Sequence, residues 1–246
     1  MKIQHEQLKE FTKAVFAGMG CEAAEAACIS DHLVQSNLAG HDSHGVIRTK
    51  HYYDWLDEEK VRANRMIDVV LDCGAMAVVD GQMGFGLSTG KQTICLAIEK
   101  CREHGVAVTA LRNCSHLGRI GHWAEMVIEA GFVSIHLVTG TGFGMYMVPY
   151  GGKDRRLSLN PIAVGIPVEG GDAIVLDFAA SMIPEGKLKV ALNKGESALT
   201  DASSTRKGDL PMTSISSTDR PWERYYRLEH TKDTDWRWLL NCWRER

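Results

Sequence analysis

Apolar positions recur at helical spacing at the start of the chain. The two stripes consist of Leu8, Phe11, Val15, Phe16, Ile29, Leu33, Val34 and Leu38. Because an apolar residue every three or four positions is typical of an amphipathic helix, the pattern predicts two helices, separated at the glycine-containing residues 18–20. A third helix is predicted from residue 46 to about residue 58.

Beyond residue 60, short apolar runs alternate with helical patterns. Strands are predicted over residues 66–72, 75–81, 106–111, 132–138 and 173–179, and helices over residues 90–105 and 120–131. The last two strands are almost continuously apolar, which is typical of a sheet covered on both faces. The order strand, helix, strand predicts an α/β core that follows an N-terminal helical segment.

The composition is that of an ordinary globular protein, with 246 residues, 44% of them hydrophobic and 24% charged. The net charge of −3 gives no basic surface, so nucleic acid is not an expected partner. No apolar run reaches the roughly 18 residues of a membrane span, and no secretory signal is recognised at the start. Seven cysteines without a CxxC pair indicate reduced thiols and a cytoplasmic location.

A turn at residues 40–45, "GHDSHG", concentrates titratable side chains ahead of the third helix. Ser43 is expected to cap that helix, and Arg48 and Tyr52, four residues apart, would share one of its faces. His44 suits proton transfer near neutral pH, and Arg48 suits a bidentate grip on a carboxylate. The spacing is equally compatible with a polar cap and solvated histidines.

A second candidate lies in "RNCSHLGRIGHW", residues 112–123, between a strand and a helix. Ligands bind at the carboxyl ends of strands in open α/β sheets. His116 has this position, and Gly118 and Gly121 would let a ligand approach. His122 is expected to face solvent. A purely structural role for His116 stays open.

Two weaker candidates follow. Asn160-Pro161, in "VPYGGKDRRLSLNPIAVGIP" (residues 148–167), would offer an amide to a cofactor or form a plain turn. Asp177 would bind a ribose hydroxyl or cap a helix. Neither "GMGCEA" nor "GQMGFG" has the strand or the glycine spacing of a dinucleotide-binding GxGxxG fingerprint.

Four segments in unbroken order carry a family resemblance between about residues 5 and 196. They are "NLAGHDSHGV", "NCSHLGRIGHWAE", "VPYGGKDRRLSLNPIAVGIP" and "IVLDFAAS". Together they resemble the malate/L-lactate dehydrogenases that lack a Rossmann fold, and most closely their hydroxycarboxylate dehydrogenase B branch. One departure is "LSLNP", where many relatives have glycine and threonine before Asn-Pro.

The resemblance implies a non-Rossmann mixed sheet covered by helices, and a cytosolic homodimer that moves hydride between NAD or NADP and C2 of a 2-oxo or 2-hydroxy acid. It implies that His44 is the catalytic acid/base and that His116 and Ser43 line the pocket. Arg48 and Tyr52 are then candidates for binding the substrate carboxylate. Asn160, Pro161, Asp177 and Ser181 fall on the cofactor-binding segments.

The chain changes character after residue 197. Residues 198–246 hold 17 charged residues and four of the six tryptophans, but one of the 24 glycines. A shifted reading frame explains this. In that frame, each codon consists of the third base of one residue's codon and the first two bases of the next. Whatever synonymous codons are used, Trp222 followed by Glu223 then encodes glycine, and Asp235 followed by Trp236 encodes leucine. Permitted codons then end the segment in "HKGHGLALVAELLAGA", which resembles the family's next helix.

Three parts are therefore expected: a helical segment with the catalytic turn (1–60), an incomplete α/β core (61–197) and an out-of-frame tail (198–246). One rival function is a non-catalytic remnant of such an enzyme. Another is a metal-dependent hydrolase using His41, His44 and His116. The metal is less favoured because no acidic or cysteine ligand stands out beside the histidines.

Overall fold

The computed structural model describes residues 3–140, 147–148, 156–179 and 226–227. The elements in these residues are α1 (His5–Gly18), α2 (Ala23–Leu38), α3 (Thr49–Asp57), β1 (Asp68–Cys73), β2 (Met76–Gly84), α4 (Gly86–His104), β3 (Val108–Cys114), α5 (Gly121–Glu129), β4 (Ser134–Leu137), β5 (Met147–Val148), β6 (Pro161–Ile166), β7 (Ile174–Ala179) and β8 (Tyr226–Arg227). Two short 3-10 turns, Asp42–His44 and Val46–Arg48, precede α3.

The chain divides into two compact units. The first consists of Met1–His136 and Ala163–Asp177, and the second of Leu137–Ile162 and Phe178–Arg246. The described part of the second unit includes β5 and β8, which pair in parallel. No helix in the described residues is long and apolar enough to cross a membrane.

The N-terminal helices enclose the main apolar cluster of the first unit. Its buried members are Phe16, Cys21, Ala26, Ile29, Leu33, Tyr52, Val61, Phe85 and Leu87. The ring of Phe16 meets that of Phe85 edge-on, with centroids 6.0 Å apart. All three predicted N-terminal helices are confirmed, although Phe11 and Leu38 of the predicted stripes are exposed.

A strand-helix-strand unit forms the first sheet, as predicted. Its order is β1-β2-β3, with β1 and β2 antiparallel and β2 and β3 parallel. Ala77 and Val79 on one face of β2 are buried, and α4 connects β2 to β3. Gly105 ends α4 in the left-handed conformation (φ 77°) that glycine adopts without strain. This unit brings the carboxyl end of β3 beside the start of α4.

The second sheet has the order β4-β6-β7 and departs from the prediction in two ways. Strand β6 begins at Pro161, where a turn was the expected alternative; proline can start a strand because that position needs no amide donor. The apolar strands β4 and β7 were predicted to be covered on both faces. Instead, Ile135 is 68% exposed and Leu176 is 49% exposed. One face packs on α5, where Gly165 approaches Ala124 closely.

Candidate active site

The turn that carries His44 is fixed by Asn37, near the end of α2. The Asn37 Oδ1 accepts a hydrogen bond from the Val46 amide at 2.9 Å, and its Nδ2 donates to Asp42 Oδ1 at 2.5 Å. A Cβ at Gly45 would lie 2.1 Å from Asn37 Oδ1, so glycine is required for this approach. The expected capping of the third helix by Ser43 was wrong, because Asn37 satisfies the Val46 amide in its place.

The side chain of Ser43 contacts His44 instead. Its Oγ lies 3.0 Å from His44 Nδ1, within hydrogen-bonding distance. The Arg48 Nε donates to the Ser43 carbonyl oxygen at 2.6 Å. Three predicted site residues are therefore joined by two hydrogen bonds. The half-buried Arg48 braces the turn, and its charge acts on His116.

His116 joins this group from the loop after β3. Its ring stacks on that of His44, with centroids 5.5 Å apart and planes 21° apart. The Tyr52 hydroxyl lies 2.9 Å from His116 Nδ1. The sequence placed His44 and His116 in separate motifs. The structure brings the two rings together, with Tyr52 beside His116.

The protonation states of His116 and Tyr52 follow from their burial. Burial lowers the pKa of His116 well below its ordinary value, and the nearby Arg48 cation acts in the same direction. Burial also raises the pKa of Tyr52 well above that of a free phenol. His116 is consequently neutral near pH 7, and the Tyr52 phenol keeps its proton. A protonated phenol can donate to Nδ1 of a neutral imidazole, which leaves Nε2 as the nitrogen that carries hydrogen.

The start of α4 closes one side of the His116 loop. The Ser115 amide donates to the Gly84 carbonyl oxygen at 3.0 Å, and Ser115 Oγ accepts from the Gly86 amide at 2.9 Å. A Cβ at Gly86 would lie 2.5 Å from the His116 carbonyl oxygen. Backbone therefore packs directly on backbone at this point, and only glycine allows it.

Asp177 lies within β7, three residues after its start. Its Oδ2 accepts a hydrogen bond from the Gly121 amide, the first residue of α5, at 2.9 Å. This is the helix-capping contact that the sequence left open as the alternative to a ribose contact. A carboxylate here also suits the positive end of the helix dipole.

His122 was expected to face solvent, and this was wrong. Its ring packs against the rings of His32 and Trp123, at centroid distances of 4.3 and 5.2 Å. Burial lowers the pKa of His122. The helical pattern of α5 pointed this position outward, but α2 covers it.

Asn160 and Pro161 lie in the second unit and Ser181 lies outside the described residues. Asn160 has a positive φ of 40°. Ser158 belongs to "LSLNP", the segment in which this chain differs from many relatives. It accepts a hydrogen bond from the Gly140 amide at 2.7 Å and donates to Asn160 Oδ1 at 2.5 Å.

Two contributors were missed from the sequence. Asn37 precedes the conspicuous histidines and carries no titratable group, so nothing marked it. His32 is 1% exposed and belongs to the buried face of α2; a histidine within an apolar helical stripe was the available signal. Among the described residues, no three histidine, cysteine or acidic side chains are grouped to hold a metal ion.

Comparisons with known proteins point to one family. The family model described as malate/L-lactate dehydrogenase matches residues 3–213. The hydroxycarboxylate dehydrogenase B of Escherichia coli (strain K12) is 41% identical over 190 residues, which cover 77% of this chain and 52% of that protein. A malate dehydrogenase of Pyrococcus abyssi is 33% identical over 210 residues, covering 85% and 57%.

A solved structure shares the fold. The malate dehydrogenase of Pyrococcus horikoshii OT3 superposes with a TM-score of 0.73 at 32% identity, over 77% of this chain and 53% of that one. The match to the family model covers most of the chain, so the chain belongs to the malate/L-lactate dehydrogenase family. It spans about half the length of the curated relatives it matches.

Proposed function

We propose that the chain derives from, and carries the proton-transfer site of, an oxidoreductase that interconverts a 2-oxo acid and a 2-hydroxy acid with NAD or NADP. The observation that carries the proposal is the stacked pair His44 and His116, held by Tyr52 and Ser43 beside the Arg48 cation. Proton transfer at an oxygen next to a carboxylate needs these groups together: an acid/base, a neutral donor and a fixed positive charge.

The roles follow from the contacts. In the direction of reduction, His44 donates a proton to the oxygen on C2 and takes one back in oxidation. His116, neutral and with Nε2 carrying hydrogen, donates a hydrogen bond to the reacting carbonyl oxygen. Arg48 binds the substrate carboxylate. Tyr52 was also predicted to bind this carboxylate. Because its fully buried hydroxyl is hydrogen-bonded to His116, we instead assign it the role of orienting the His116 ring.

The residues fit a nicotinamide cofactor in their chemistry. Ser43, whose hydroxyl lies beside His44, is a donor of the kind that holds a carboxamide, and Asn160 is assigned to the cofactor by resemblance alone. When bound, the reduced nicotinamide supplies the hydride for C2. By resemblance, Pro161, Asp177 and Ser181 complete the cofactor segments. Choosing between NAD and NADP, and among 2-oxo acids, is left to the assay.

The reading frame bears on activity. We propose that residues 198–246 are out of frame, supported by the forced glycine and leucine of the back-translation. The exposed apolar residues of β4 and β7 are what an incomplete family core would leave uncovered. The family match runs to residue 213, past the predicted break at 197, so the coding DNA decides. The three-part division 1–60, 61–197 and 198–246 stays a prediction.

We further propose a cytoplasmic location and, for the complete fold, a homodimer whose small-molecule partner is the hydroxy acid. The six cysteines in the described residues are free thiols, which suits a reducing compartment. The homodimer rests on the resemblance alone. Sedimentation of the purified protein tests it.

The test uses two proteins: the chain as it stands, and a frame-restored protein whose residues after 197 follow the second frame read from the DNA. We expect saturable quenching of NADH or NADPH fluorescence and oxidation of the cofactor with a panel of 2-oxo acids by the frame-restored protein. Binding without turnover by the chain as it stands would identify it as a remnant. Neither binding nor turnover in a folded frame-restored protein would refute the proposal.

A further inference from the structure

A buried histidine outside the proposed proton-transfer site contacts the loop that carries His116. The ring of His32, on α2, is 1% exposed. Its Nε2 accepts a hydrogen bond from the Arg119 backbone amide at 3.1 Å. Arg119 follows His116 by three residues, so α2 holds the loop just beyond the catalytic candidate.

The contact requires glycine at the preceding position. Gly118 has a φ of 71°, in the left-handed region. A Cβ on it would lie 2.2 Å from His32 Nε2, far inside van der Waals contact. The left-handed turn at Gly118 and the imidazole of His32 therefore depend on each other. The turn directs the Arg119 amide at Nε2, and the ring occupies the space that a side chain at residue 118 would need.

The hydrogen bond also fixes the ring's chemical state. A ring nitrogen that accepts a hydrogen bond carries no proton, so His32 is neutral with hydrogen on Nδ1. Burial, followed by the charges of His122, His116, Arg119 and His44, lowers its pKa well below the ordinary value. Nδ1 has no hydrogen-bond partner among the described residues. A protonated ring would carry hydrogen on both nitrogens, so Nε2 could no longer accept the bond from the Arg119 amide.

A second side chain holds the same turn. The Trp123 Nε1 donates to the Leu117 carbonyl oxygen at 3.0 Å. Trp123 also packs on His32, with ring centroids 4.8 Å apart. Residues 117–119 are thus held by two rings that contact each other, one from α2 and one from α5. Since His116 directly precedes this turn, its ring direction is tied to theirs.

We propose that His32 is a positioning residue: by accepting from the Arg119 amide and filling the space beside Gly118, it fixes the turn 117–119 and so holds His116 against Tyr52 and His44. The importance of this for turnover rests on the proposed function. The positioning itself is a property of the fold and is tested without substrate or cofactor.

The test compares three variants of the full chain. His32→Gln keeps an acceptor near the position of Nε2 but cannot be protonated in the accessible pH range. His32→Leu keeps apolar bulk and removes the acceptor. His122→Gln is the matched control, because the His122 ring packs on the same ring, whereas the bond from His122 to the Arg119 carbonyl oxygen is made by its backbone amide, which the substitution keeps. Readouts are amide hydrogen exchange at Arg119 and the ring ¹⁵N signals of His116.

We expect His32→Leu to lower the protection of the Arg119 amide about tenfold, the effect of losing one buried hydrogen bond, and to shift the His116 signals. His32→Gln and the control are expected to stay within about threefold. In the parent chain, Arg119 protection falls on acidification as His32 takes up a proton; in His32→Gln, where His116 still titrates, it is expected to fall less. That acid comparison decides even if His32→Leu does not fold.

Unchanged Arg119 protection and unchanged His116 signals in His32→Leu, or an acid response shared by the parent and His32→Gln, would overturn the proposal. In the frame-restored protein, His32→Leu is expected to lower kcat more than it raises KM, with rescue by His32→Gln. Absent turnover in every variant, alongside the expected exchange pattern, would refute the proposed function and leave the positioning role intact.

Discussion

The Tyr52 hydroxyl and Nδ1 of His116 lie 2.9 Å apart, although 64 positions separate the two residues in sequence. Tyr52 comes from α3 and His116 from the loop after β3. This pairing converts a tyrosine of the core cluster into part of the proposed site. It also links the site's geometry to the packing of Phe16 and Phe85, which contact the Tyr52 ring.

Tyr52→Phe removes that hydroxyl and keeps the packed ring. Losing a single buried hydrogen bond costs about 1 kcal/mol, so we expect kcat of the frame-restored protein to fall about fivefold while the melting temperature falls by only a few degrees. Steady-state kinetics with a 2-oxo acid measure this. Tyr53→Phe, on the exposed side of α3, is the control. Equal kinetics in the two variants would show that Tyr52 does not act on His116.

His44→Ala removes the proposed acid/base. A positioned acid/base contributes roughly 10²- to 10⁴-fold, so turnover is expected to drop by at least about 10²-fold while cofactor affinity is spared. His41→Ala, on the exposed side of the same turn, is the matched control. Turnover that survives in His44→Ala would remove His44 from its assigned role.

Gly118→Ala is expected to be far more damaging than Gly131→Ala. Both glycines have positive φ, 71° and 84°, so alanine is strained in each by about 1–2 kcal/mol. Among the residues that the structure describes, nothing lies within 4 Å of a Cβ at Gly131, whereas one at Gly118 meets His32 at 2.2 Å. Urea unfolding of the chain as it stands gives both free energies. Similar losses of unfolding free energy in the two variants would mean that the turn at residue 118 accommodates a Cβ without displacing His32 at a cost in stability.

Stability is expected to fall on acidification below about pH 6.5. His32 and His116 have depressed pKa values in the folded chain, so the unfolded chain binds protons that the folded chain does not. The free energy of unfolding therefore rises with pH up to the ordinary histidine pKa and levels off above it. Each such histidine contributes a slope of about 1.4 kcal/mol per pH unit within that window.

Urea unfolding at pH 5, 6 and 7.5 measures this slope, and His32→Gln should reduce it by one histidine's share. His41→Gln, which alters an exposed histidine, should leave it unchanged. The same slope in all three proteins would contradict a buried neutral His32.

The sequence predicted the fold where periodicity and turn chemistry coincide. Helix α4 is an example. Its apolar periodicity ends at the same place as the helix-terminating Gly105, so both signals mark the C-terminal end of the helix. It failed at β6, where the turn signal of Asn160-Pro161 concealed a strand start. It also failed at His122, because single-helix periodicity does not reveal that another helix covers the outward face.

For the site, residue chemistry identified His44 and His116 as candidates, and the family resemblance joined them. The partners that fix them were not recognised: Asn37 opens the segment "NLAGHDSHGV" but has no titratable group, and His32 lies outside all four segments. Asn37 accepts from the Val46 amide, nine positions away, and His32 accepts from the Arg119 amide, 87 positions away. Contacts of this kind depend on tertiary packing, which no local pattern encodes.

The most direct test of the account is cofactor oxidation by the frame-restored protein, with the coding DNA first sequenced across codon 190 and onward. NADH or NADPH is supplied with a panel of 2-oxo acids, and cofactor loss at 340 nm is compared with 2-hydroxy acid formed. We predict one hydroxy acid for each cofactor oxidised, and no turnover in His44→Ala. A folded protein that oxidises no cofactor with any 2-oxo acid, or whose His44→Ala variant works equally well, would contradict the account.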